Sequence, residues 1–166
     1  YPNREAETSL QTLFLWNLTR NASSAVRHKL KLYDLLQAND LPSRQVLCTA
    51  FFASIPHDWY RSSPIAQYEG YYASIFYSYF AALGLDIVLE DVTNHGRIDM
   101  TVRFEGVAYL FEFKVVELAP EGKALAQLQA RGYADKYRAA GPVHLIGVEF
   151  SRDSRNIVGF ETLALR

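Results

Sequence analysis

Two acidic residues and a lysine carry the strongest chemical signal in this sequence. Over residues 97–104, Ile98, Met100, Val102 and Phe104 alternate with polar positions, which sends Asp99 to the opposite face with Arg97 and Thr101. In the following run Tyr109, Phe111, Phe113 and Val115 share one face, while Glu112 and Lys114 share the other with Leu110. Glu105-Gly106 reads as a two-residue turn. It makes the two strands antiparallel neighbours and lets Asp99 and Glu112 lie on one face, with Lys114 one pleat away. An amphipathic hairpin with a solvated charged face accounts for the same pattern. Against it stands the density of apolar residues over 109–116, which suits an interior strand covered on both faces. A carboxylate and an ammonium buried there cost several kcal/mol unless they meet charged partners. A divalent cation and a phosphate are such partners, and two fixed carboxylates plus a backbone carbonyl suit Mg²⁺.

Glu69 adds a third acid from elsewhere in the chain. It precedes Tyr72 and Phe76 at helical spacing and so opens an inward stripe, although a first-turn glutamate favoured by the helix dipole looks the same. Residues 120–139 read as one helix carrying Gln127, Gln129, Arg131 and Tyr133. Gln129 and Tyr133 stand one turn apart there, placed either to reach a phosphate together or for ordinary surface and packing roles. Other chemistries lack their residues. There is no G-x-S-x-G, G-x-x-x-x-G-K-[ST] or G-x-G-x-x-G pattern, and His28, His57, His95 and His144 have no metal-ligand spacing. The single cysteine, Cys48, excludes an internal disulfide and reads as core.

These residues need elements to position them. Helical spacing predicts a first helix with Leu10, Leu13, Phe14 and Leu18, and a second, capped at Ser23-Ser24, with Val26, Leu30, Tyr33 and Leu36. A third starts near Pro42-Ser43 with Val46, Leu47, Ala50 and Phe51. A fourth follows a Ser62-Ser63-Pro64 cap, carries Tyr72, Ile75, Phe76, Tyr79, Phe80 and Leu83, and stops at Gly84. Strands are expected at 85–90, 97–104, 109–116, 143–150 and 157–165, with a turn at Asn94-His95-Gly96. The 166 residues are 49% hydrophobic and 21% charged with a net charge of −1, which describes a globular chain and excludes a global positive field for polyanions. No apolar run is long enough for a membrane span, and the absence of a starting Met reads as a piece of a longer protein or a processed product.

The strings Gly96-Arg97-Ile98-Asp99, Phe111-Glu112-Phe113-Lys114 and Ala124-Leu125-Ala126-Gln127-Leu128-Gln129, then Tyr133-Ala134-Asp135-Lys136-Tyr137, resemble the PD-(D/E)XK nuclease superfamily. Leu145-Ile146-Gly147-Val148-Glu149-Phe150-Ser151 and the opening Tyr1-Pro2-Asn3-Arg4-Glu5 are similar to its bacterial branch in which an ATPase-like domain precedes the nuclease-like one. The resemblance implies an α/β restriction-endonuclease-like core, a mixed β-sheet flanked by helices in the order α-β-β-β-α-β-β. That core would span residues 63–166, behind a helical N-terminal subdomain at 1–62. It implies Mg²⁺, with Mn²⁺ as substitute, held by Asp99, Glu112 and the Phe113 carbonyl. Lys114 would orient the attacking water and offset charge on the phosphate. Glu69 would be the helical acid that completes the catalytic set, Gln127 the polar helix residue beside it, and Arg97, Gln129, Arg131 and Tyr133 candidate substrate contacts. The family's Pro-Asp pair reads Ile98-Asp99 here, and its helix glutamine fits either Gln127 or Gln129. The implied activity is metal-dependent hydrolysis of nucleic-acid phosphodiesters, DNA before RNA; the single cysteine fits a reducing compartment such as the cytoplasm. The alternatives are a silent domain that binds nucleic acid or protein, and a regulatory appendage of the ATPase. Homo-oligomers are compatible with all three.

Overall fold

The computed structural model describes residues 3–19, 22–55 and 68–165. The Ser62-Ser63-Pro64 cap, His57, and Tyr1-Pro2 of the opening string lie outside them. Four helices come first: α1 (Arg4–Thr19), α2 (Ala22–Gln37), α3 (Leu41–Ala53) and α4 (Glu69–Ala81). Strands β1 (Asp86–Thr93), β2 (Gly96–Phe104) and β3 (Val107–Val116) follow, then α5 (Lys123–Ala130) and α6 (Asp135–Arg138), then β4 (Val143–Ser151) and β5 (Ile157–Leu165). The fold is α/β, with one mixed five-stranded sheet in the order β1-β2-β3-β4-β5. All neighbours are antiparallel except β3 and β4, which α5 and α6 connect as a parallel crossover.

Two apolar clusters cover the sheet. On one face α4 lays Tyr72, Ile75, Phe76, Tyr79 and Phe80 against Met100, Val102, Phe111, Phe113 and Phe150, with Tyr72 stacked on Phe150 at 4.1 Å between ring centroids. Leu15, Leu32, Leu36, Leu47 and Phe51 of α1–α3 join the same cluster, as does Cys48, whose thiol burial pushes up to about 12. On the other face Leu128, Tyr133 and Tyr137 cover Ile98, Leu110 and Leu145.

The helices differ from expectation in phase. Leu10, Leu13, Phe14, Val26, Leu30, Tyr33 and Val46 are exposed, and α1 buries Gln11 and Leu15 instead. The apolar run 13–16 offers two stripes of similar strength, so period alone does not choose between them. Helix α2 begins at Ala22, before the expected Ser23-Ser24 cap. Helix α3 does start where Pro42-Ser43 predicts, with Asp40 accepting from the Ser43 N–H at 3.1 Å. The expected helix over 120–139 is two pieces, because Gly132 (φ +62) turns the chain between them. Strand β1 runs on to Thr93 past Glu90-Asp91, since buried Asp91 is satisfied by Thr101 Oγ1 at 2.9 Å and by the Tyr137 hydroxyl and the Lys136 ammonium.

Candidate active site

Asp99 sits where β2 changes its facing. Met100 and Val102 enter the α4-side cluster while Ile98 enters the α5-side cluster, so Ile98 does not share a face with them as simple alternation predicts. Two features of the neighbouring strands accompany this switch. Glu90 of β1, opposite Asp99 in the register, has φ +50, and the β2/β3 ladder reaches no further than the pair Met100↔Phe111. Past that pair Asp99 fills the opening, its Oδ2 accepting the Phe113 N–H at 2.8 Å. A strand residue points its N–H and C=O to the same side, so the Phe113 carbonyl faces the same opening.

Glu112 projects from β3 toward α5 and is 1% exposed. Its Oε1 accepts from Lys114 Nζ at 3.2 Å and from Gln127 Nε2, while its Oε2 is buried with no hydrogen-bond partner. Lys114 bridges to Glu69 Oε2 at 3.4 Å, which ties the first residue of α4 to the site. Burial, and after it the negative charge of Asp99, pushes Glu112 up to about 7. Burial likewise raises Asp99, opposed by the Phe113 N–H. For Lys114, burial acts downward, but Glu112 and Glu69 outweigh it and its pKa is raised.

Glu112, Lys114, Gln127 and Glu69 therefore form one bonded group, and Asp99 completes it through the Phe113 N–H and through its charge on Glu112. Glu69 joins it through Lys114, and among the described residues no three His, Cys, Asp or Glu side chains gather closely enough to hold a metal. Glu69 also contributes through its charge: burial raises both Asp99 and Glu112, and Glu69 acts in the same direction. Asp99 and the Phe113 carbonyl in the opening, and Glu112 within reach of the Asp99 charge, are all hard oxygen donors, and Glu112 Oε2 is an acceptor that lacks a partner. That set fits a small divalent cation that keeps several waters.

The remaining candidates lie around this group. Gln127, not Gln129, reaches Glu112, and Gln129 is exposed. The one-turn relation of Gln129 to Tyr133 does not exist, because α5 ends at Ala130. Tyr133 is buried beside Ile98 and Leu128, with burial and then the Glu112 charge raising its pKa. Arg97 is exposed and pairs with Glu90 at 2.9 Å. Arg131, also exposed, donates to the His95 carbonyl at 3.3 Å at the β1–β2 turn.

Sequence reasoning passed over Glu149. It is 2% exposed on β4, and its carboxylate accepts the backbone N–H groups of Glu121, Gly122, Lys123 and Ala124. Burial acts to raise its pKa, but these four donors prevail and hold it below the usual carboxylate range. The available signal was a single acid inside the long apolar run 143–150.

A family model for the PD-(D/E)XK nuclease superfamily matches residues 67–160, the stretch that contains every member of the group. A curated relative, the "Uncharacterized protein in vnfD 5'region" of Azotobacter chroococcum mcd 1, is 66% identical over 161 residues, covering 96% of this chain and 31% of its own length. The chain thus spans about a third of the relative it matches.

Proposed function

The chain belongs to the PD-(D/E)XK nuclease superfamily, and on that premise we propose that its site hydrolyses phosphodiester bonds of nucleic acid with Mg²⁺, or Mn²⁺ in its place. DNA is the proposed substrate ahead of RNA. The observation that carries the reading is the buried Glu112 carboxylate, held through Oε1 by Lys114 and Gln127 while Oε2 stays unpartnered. Asp99, Glu112 and the Phe113 carbonyl would hold the ion. Bound there, it supplies a Lewis acid at the phosphate and a template for the attacking water. Lys114 has three N–H donors and gives two to Glu112 and Glu69, which leaves one to orient the water and balance charge on the phosphate. Glu69 keeps that ammonium in place, and Gln127 fixes the rotamer of Glu112. Arg97, Arg131 and Gln129, all exposed, are the proposed contacts to the nucleic-acid backbone; Tyr133, a candidate with them by sequence, is buried at 2% exposure.

The single cysteine supports a reducing, cytoplasmic compartment. The family resemblance also supports a longer chain, in which an ATPase-like part precedes a helical subdomain at 1–62 and a nuclease-like core at 63–166. The relative's greater length agrees with that arrangement. Among the described residues no helix is long and apolar enough to cross a membrane.

The experiment is cleavage of single- and double-stranded DNA and RNA with Mg²⁺ or Mn²⁺, beside calorimetry of the metal with the chain and its Asp99→Asn variant. Metal-dependent cleavage stopped by EDTA, and metal binding weakened by Asp99→Asn, are expected. Metal binding without cleavage of any substrate would favour the silent domain, a reading to which the net charge of −1 lends some weight.

A further inference from the structure

Helix α5 delivers Gln127 to Glu112, yet no side chain at its own start caps it. It begins after Gly122 with no side-chain cap, where a local Ser, Thr, Asp or Asn commonly serves. The N–H groups leading into its first turn are met instead by one side chain from β4. Glu149 takes Glu121 and Gly122 (3.1 Å) on Oε2, and Lys123 (2.6 Å) and Ala124 (3.2 Å) on Oε1. Two residues earlier on the same strand, Gly147 lets the backbone of α5 lie directly on the sheet. A Cβ at Gly147 would overlap the backbone nitrogen of Leu125.

Four donors on two oxygens fix both the height and the rotation of the helix end, which a one-bond cap cannot do. Gln127 stands one turn further on, so its reach to Glu112 on β3 depends on how α5 is seated on β4. We propose that Glu149 is a positioning residue: by seating α5 on β4 it holds Gln127 against Glu112 Oε1 and so keeps Oε2 turned to the cation. The part concerning the cation rests on the metal reading above. The seating of Gln127 does not.

The test uses the whole chain with ¹⁵N label, metal-free, and the Gln127 side-chain amide assigned through Gln127→Ala. Glu149→Gln keeps the size of the side chain but replaces one acceptor oxygen with a donor. It should shift the Gln127 side-chain amide signals and weaken Mn²⁺ binding about tenfold, at the lower end of losses for residues that orient metal ligands. A double variant with Gln127→Ala should bind Mn²⁺ no more weakly than Gln127→Ala alone. If Glu149→Gln does not fold, Gly147→Ala displaces α5 with Glu149 intact and should move the same signals. Unmoved Gln127 signals in a folded variant, or additive losses in the double variant, overturn the proposal and leave Glu149 a cap alone. Should the unaltered chain bind no Mn²⁺ while the Gln127 signals still move, the metal reading fails and the seating of Gln127 is upheld.

Discussion

Glu112→Gln should make the metal-free protein more stable at pH 8 and flatten its stability between pH 5 and pH 8. The cause is the carboxyl pushed from 4.5 to about 7, chiefly by burial and then by Asp99. Between those values the unfolded chain has released the proton and the folded chain keeps it, so stability falls as pH rises. At about 1.4 kcal/mol per pH unit, the shift amounts to about 3 kcal/mol, fully expressed only above the folded value. Glutamine is neutral at every pH and its carbonyl still accepts from Gln127, while Lys114 keeps Glu69. Urea unfolding in EDTA at pH 5, 6, 7 and 8 measures the difference directly. At pH 5 the two proteins should lie close together, and by pH 8 the variant should lead by about 3 kcal/mol. Mg²⁺ at a hundredfold over its Kd should return about 2.7 kcal/mol to the parent chain. Parallel pH curves for the two proteins would refute the idea of a desolvated Glu112 carboxylate.

Three further outcomes are expected. Lys114→Ala should abolish turnover while calorimetry finds Mn²⁺ binding nearly intact, because the ammonium acts on charge at the phosphate. Asp91→Ala should cost about 2–3 kcal/mol in urea unfolding, since it strips Thr101, Tyr137 and Lys136 of a buried acceptor. Binding of the chain to DNA should be weak with a shallow salt slope, as a net charge of −1 leaves few phosphates to neutralise, and fluorescence anisotropy across a salt series measures it.

The strands and the Asp99, Glu112 and Lys114 group were legible because alternation and turn chemistry are local. The change of facing at Asp99 was not. It involves Glu90 on β1 and the end of the β2/β3 ladder, both set by pairing between strands. The break after α5 was written in Gly132, but a lone glycine within a helical pattern is tolerated at a cost of about 1 kcal/mol and need not end the helix. The phase of α1 and α2 depends on what covers each stripe, which only tertiary packing decides. Glu149 escaped notice for a related reason. Its partners are four backbone groups some 25 residues away, and no side-chain pattern marks them.

The central claim is a divalent cation in the opening between β2 and β3, and anomalous scattering from crystals soaked in Mn²⁺ tests it most directly. The account predicts one peak bounded by Asp99, Glu112 Oε2 and the Phe113 carbonyl, lost in Asp99→Asn. Density clear enough to place those side chains, with no Mn²⁺ peak between them, would contradict it.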